Sequence, residues 1–135
     1  IDKSLKVADL PVIWNEQIKE YLDLKVPDDS QGVLQDIHWS GGQFGTFCNY
    51  TIGNVMAAQL METMKNNKPE IQNDINKANY LPLLNWLTSN IHSHGRRYTR
   101  NELLERSTGE TLNPLPYLKY LKNKANQVYG VSFND

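Results

Sequence analysis

Apolar residues recur along this chain at three- and four-residue spacing, the period of helices that bury one stripe. Leu10, Ile13, Trp14, Ile18, Tyr21 and Leu22 form the first stripe, with Asp9 as an N-cap and Pro11 in the first turn. It ends near Leu24, before Pro27 and Asp28-Asp29-Ser30. From about Phe47 to Lys65, the residues Ile52, Val55, Met56, Ala57, Leu60, Met61 and Met64 predict a buried helix. Gly53 and Ala58 would let a neighbour approach it closely, and Asn66-Asn67-Lys68-Pro69 breaks it. A more polar helix is expected over Glu70 to Lys77. Tyr80, Leu83, Leu84, Trp86, Leu87 and Ile91 then mark an amphipathic one that stops by Gly95. Thr99-Arg100-Asn101-Glu102 reads as a capping box ahead of Leu103 and Leu104, with Gly109 as the stop. Tyr117, Leu118, Leu121 and Val128 give the last helix. No alternating run long enough for a sheet, no internal repeat and no low-complexity tract is present. The predicted fold class is all-α, one helical domain over residues 1–135.

One stretch departs from this regular pattern. Gly32 to Gly45 carries four glycines around Gln35-Asp36-Ile37-His38-Trp39-Ser40-Gly41-Gly42, read as a short helical turn followed by a tight loop. A histidine beside a tryptophan, with glycines that let the backbone come close to a ligand, suits one side of a binding site. On the residues alone a structural reading stands beside it, in which Trp39 is core and His38 bridges two helices.

Composition narrows the classes of function. The chain has 135 residues with 39% hydrophobic and 21% charged, enough apolar material for one modest core. Its net charge of -1 gives no field that would draw in nucleic acid or an anionic membrane. Cys48 is the sole cysteine, which excludes an internal disulfide framework and a thiolate metal cluster and fits a reducing, cytoplasmic compartment. No apolar run approaches the roughly 20 residues that span a bilayer. The chain opens at Ile1 without an initiator methionine, and is expected to be processed or excised from something longer.

Self-contained catalytic constellations are missing. There is no H-E-x-x-H, and His92 and His94, two residues apart, would point about 200° apart on a helix, too far round to share an ion. They read as polar residues at a helix end. Ser40 lacks the flanks of a nucleophile elbow, and Cys48 reads as a small buried apolar residue. Arg96, Arg97, Arg100 and Arg106 are diluted by Glu102 and Glu105 and read as a solvated helix end.

Gly32-Val33-Leu34-Gln35-Asp36-Ile37-His38-Trp39 matches the G-x-x-Q-D-x-H-W signature of the carboxypeptidase Taq family, and the chain resembles the C-terminal region of those metallopeptidases. Further landmarks follow in the family's order: Leu5 to Pro11 with Trp14-Asn15, Tyr50 to Gln59, His94-Gly95, Tyr98-Thr99, Glu102-Leu103-Leu104, and Thr108-Gly109-Glu110 with Leu112-Asn113-Pro114. Thr46, Cys48 and Asn49 differ from the residues usual there. The resemblance implies the C-terminal helical portion of a larger, mainly helical H-E-x-x-H enzyme that removes C-terminal residues from peptides. It implies zinc in the intact enzyme, with ligands outside this chain and no metal in the isolated piece, a peptide substrate bound through its C-terminus, and a homodimer. In such enzymes zinc and the motif glutamate activate water while donors across the cleft stabilise the oxyanion. His38 and Tyr50 are the implied catalytic groups, with Gln35, Asp36, Trp39, Gly41 and Gly42 binding substrate or supporting them. The other class of function considered is a non-catalytic helical binding or regulatory module of the same fold.

Overall fold

Every element among residues 4–133, which the computed structural model describes, is helical, and they fall into two compact units, Ile1–Phe47 and Cys48–Asp135. In the first unit a 3-10 turn at Val7–Asp9 runs straight into helix α1, Leu10–Leu22, with Pro11 in its first turn. Asp9 holds the N-cap position but is already αR and accepts no capping bond, unlike the start expected, because the turn ahead of it continues into the helix. The helix ends where Asp23 enters the left-handed region at φ 55° and its N–H bonds to the Lys19 carbonyl. Asp28 caps the next 3-10 turn, Asp29–Gln31, by accepting from the Gln31 N–H at 3.0 Å. A further turn at Val33–Gln35 leads into the four-residue helix α2, Ile37–Ser40.

The second unit contains α3 (Cys48–Asn67), α4 (Ile71–Asn76), α5 (Leu81–Asn90), a 3-10 turn at His92–His94, α6 (Arg100–Thr108) and α7 (Leu115–Tyr129). Its apolar centre is Met64, Ile71 and Trp86, with Leu60, Ile75, Leu83 and Leu87 packed around them. The break at Lys68-Pro69 is what builds this centre. It stops α3, the Ile71 N–H bonds to the Lys68 carbonyl, and Ile71 turns back to become fully buried beside Met64. The expected capping box is present: the Thr99 N–H donates to Glu102 Oε2 at 2.7 Å and Thr99 Oγ1 accepts from the Glu102 N–H. Thr99's hydroxyl and N–H hold the Glu102 carboxyl below its ordinary value. Gly109 ends α6 at φ 83°, as its place after the stripe predicts.

Two expectations for this unit fail. Cys48 is exposed at the start of α3 rather than buried, because residue type does not fix which side of a helix meets the core. Gly53 brings no neighbour close, since a Cβ added there would meet nothing within 4 Å.

A polar contact ties α3 to the end of α6. Gln59 is 3% exposed, and its Nε2 donates to Thr108 Oγ1 at 3.0 Å and to the Thr111 carbonyl at 2.9 Å. Its Oε1 accepts the Asn113 N–H at 3.0 Å. Asn113 in turn accepts from the Leu115 N–H at 2.9 Å, satisfying a donor at the start of α7, and donates to Glu110 at 2.7 Å. One buried amide thus completes the hydrogen bonding of a loop with no secondary structure of its own. No helix among the described residues is long and apolar enough to cross a membrane.

Replacing Ile71 by alanine should lower the unfolding free energy of the chain by about 2–5 kcal/mol, the range for truncating a buried aliphatic side chain. Denaturant titration followed by far-UV circular dichroism measures this. A loss below about 1 kcal/mol would show that Ile71 is not central to the core.

Candidate functional site

The Gly32–Gly45 segment lies in the first unit, and its local geometry explains each specified residue of the G-x-x-Q-D-x-H-W run. Gly32 is buried with φ −122°, a value open to any residue, so its glycine is required by space. A Cβ at position 32 would lie 2.6 Å from Val26 Cγ1 and 3.1 Å from the Asp28 carbonyl oxygen. It would also lie 3.5 Å from Asn15 Oδ1, a buried oxygen on α1 with no hydrogen-bond partner among the described residues. Three residues on, Gln35 Nε2 donates to the Ser30 carbonyl and closes the loop that Gly32 makes tight.

Asp36 starts α2. Its Oδ1 accepts the His38 backbone N–H at 2.9 Å, an N-cap bond, and contacts His38 Nδ1 at 2.8 Å. Both side chains are largely buried, at 13% exposure for Asp36 and 18% for His38. The His38 backbone N–H is the main cause that holds the Asp36 carboxyl below its ordinary value. The bond and charge of the His38 ring add to it, against burial, which pushes the other way. The edge of the His38 ring meets Phe47, with centroids 5.3 Å apart and planes at 84°.

Trp39 fastens this turn to α1. Its ring meets Trp14 edge-on at 6.2 Å and stacks on Phe44 at 6.2 Å and 23°. Trp39 is half-buried between these two rings. Behind it the Gly41 N–H bonds to the His38 carbonyl, the Gly42 N–H to the Trp39 carbonyl, and the Gln43 N–H to the His38 carbonyl at 2.9 Å. Gly42 sits at φ 71°, where L side chains are strained, whereas Gly41 does not. The two glycines therefore end α2 and turn the chain.

The first unit gathers Gln35, Asp36, His38, Trp39, Gly41 and Gly42 in one continuous turn. Tyr50 belongs to the second unit, in the first turn of α3, where it is exposed. Sequence reasoning passed over Phe44, Phe47 and Ser30, whose contacts with Trp39, His38 and Gln35 follow no helical spacing. Elsewhere His92 is exposed, His94 lies against Tyr98 at 5.4 Å, and Arg106 sits over the Tyr98 ring at 4.4 Å. Arg96, Arg97 and Arg100 face solvent, as a solvated helix end should. Among the described residues, no group of three His, Cys, Asp or Glu side chains could hold a metal ion.

Comparison with known proteins shows the family in which this turn is found. The family described as carboxypeptidase Taq (M32) metallopeptidase matches residues 1–125, and the chain belongs to that family. It is 38% identical over 126 residues to carboxypeptidase 1 of Bacillus subtilis, covering 93% of this chain and 25% of that protein. It is 36% identical over 127 residues to thermostable carboxypeptidase 1 of Thermus thermophilus, covering 94% and 25%. Among solved structures it is similar to the carboxypeptidase of this family from Deinococcus radiodurans, with TM-score 0.88 and 42% identity over 94% of this chain and 26% of that one. The Trypanosoma cruzi metallocarboxypeptidase 1 gives TM-score 0.84 and 38% identity, covering 89% and 26%. The chain thus spans about a quarter of the length of the relatives it matches.

Two outcomes follow from the turn. Gly32→Ala should destabilise the first unit by about 1–3 kcal/mol, the usual cost of forcing a methyl into a packed site. Thermal unfolding read by the fluorescence of Trp14 and Trp39 checks this, and an unchanged midpoint would refute the close approach. Asp36 gives the second. Because its folded value lies below the ordinary 3.8, its contribution to the turn is present above that pH and lost as pH falls through the lowered value. An acid titration of the His38 backbone amide resonance should show this loss in the wild type and not in Asp36→Asn; identical curves count against it.

Proposed function

We propose that this chain works within a zinc-dependent carboxypeptidase that removes C-terminal residues from peptides, supplying substrate-side groups while residues outside the chain hold the metal. The observation that carries this reading is the family match across residues 1–125. The chain's own residues contribute His38, held in the turn of the first unit, and the phenol of Tyr50, on α3 of the second. Either group can hydrogen-bond a bound peptide, and the phenol can donate to an oxyanion without changing charge near neutral pH. Gln35, Asp36, Trp39 and the two glycines keep His38 in place through the contacts described above. A reducing, cytoplasmic compartment completes the reading, supported by the single cysteine, and a homodimer belongs to it on the family resemblance alone. Neither nucleic acid nor a membrane surface is a partner on this reading.

The test uses a protein of full family length that carries this chain, assayed for release of C-terminal residues from blocked peptides and for bound zinc. His38→Ala and Tyr50→Phe should each lower catalysis without changing metal content. The residue that meets the oxyanion should lose about 10²–10³ in kcat, the usual effect of removing one such donor. If His38→Ala keeps kcat/KM within a factor of about two, far below one donor's contribution, His38 is structural and the assignment is wrong.

A further inference from the structure

The chain's net charge of -1 conceals a local imbalance. From Leu112 to Phe133 it carries Lys119, Lys122 and Lys124 and no carboxylate. Within the second unit this segment borders a groove of about 700 Å³, a usual size for a ligand site. Gly130 ends α7 in the left-handed region at φ 66°, and Asn126 Nδ2 donates to the Val131 carbonyl at 3.1 Å, which leads Ser132 and Phe133 to the edge of the groove. Leu115, Leu118 and Phe133 line it with exposed apolar surface. Lys119 and Lys122 follow at three- and four-residue spacing on the same side of α7, and Asn123 and Asn126 continue the row. Glu62 on α3 is the one carboxylate among the described residues that line the groove, and it is bonded to Lys119 at 3.0 Å.

This order of groups selects a partner. An exposed apolar patch rimmed by polar residues marks an interaction site, and lysines beside it favour a partner that carries carboxylates. The groove offers no arginine fork for a phosphate, whereas its side-chain amides suit the N–H and C=O groups of a peptide backbone. Leu115 to Asn126 covers roughly 16 Å of helix, the length of about five extended residues. We propose that this groove binds an acidic peptide segment, with its apolar side chains against Leu115, Leu118 and Phe133 and its carboxylates against Lys119 and Lys122. The site does not depend on the proposed function, because binding here breaks no bond.

The probe is a short fluorescein-labelled peptide of alternating leucine and glutamate, amidated at its C-terminus to block carboxypeptidase action. Its binding to the full chain is followed by fluorescence anisotropy. Saturable binding is expected, weakened by about tenfold in Lys119→Glu/Lys122→Glu, the scale of reversing two surface charge contacts. Arg96→Glu/Arg100→Glu makes the same change of net charge elsewhere and should weaken it by less than about twofold. Far-UV circular dichroism checks that both variants are folded. The matching leucine–lysine peptide requires no substitution in the protein and should bind about tenfold more weakly. Equal binding of the two peptides, equal losses in the two variants, or no binding by the wild type overturns the proposal. Two other occupants would also overturn it. Binding by this chain that is lost in a protein of full family length would assign the groove to that protein's own residues. A concentration-dependent dimer in sedimentation, broken by Leu118→Glu, would assign it to a second copy.

Discussion

One oxygen atom, Oδ1 of Asp36, holds the turn on which the first unit is organised. It takes the His38 backbone N–H and the His38 ring at once, so the start of α2 and the orientation of the imidazole are set by the same group. A serine would cap the helix comparably, yet would leave the ring without an anionic partner. The packing upstream serves this oxygen. The missing side chain at Gly32 lets the backbone pass against Val26 and Asp28, Gln35 fixes the loop to Ser30, and Asp36 follows in the extended conformation that an N-cap needs. Trp39 then pins the turn between Trp14 and Phe44.

What was legible in the sequence was local. The capping box at Thr99, the stop at Gly109 and the break at Lys68-Pro69 all depend on residues within one helical turn of each other, and each appears where its chemistry predicts. The Gly32–Trp39 run was legible for the same reason, since its bonds join residues at most five apart. Burial was not legible at single positions. Cys48 and Gly53 have the size of interior residues, but which face of α3 meets a neighbour is settled by the other helices, and both lie outside the packed face. Asp9 shows a related failure, because a capping side chain is needed only where the backbone ahead of a helix is not already helical.

Gln59 was the largest omission. Nothing in its neighbours marks it as buried, and its partners lie 49 to 54 residues further along the chain. Its signal lies in the loop it serves: Thr108, Glu110 and Asn113 are polar residues whose side chains bond to one another and to nearby backbone, leaving one donor and three acceptors that α3 meets through Gln59. A polar segment between two helices, too short to pair its own backbone groups, predicts an amide reaching in from elsewhere.

That reach also sets how the second unit opens. The Asn113 amide is protected by a side chain on α3 and not by its own loop, so it becomes exposed to exchange when α3 lets go of Gln59. The α6–α7 loop therefore belongs to the same cooperative unit as the middle of α3, and slow hydrogen exchange in an irregular segment becomes a gauge of the stability of a distant helix.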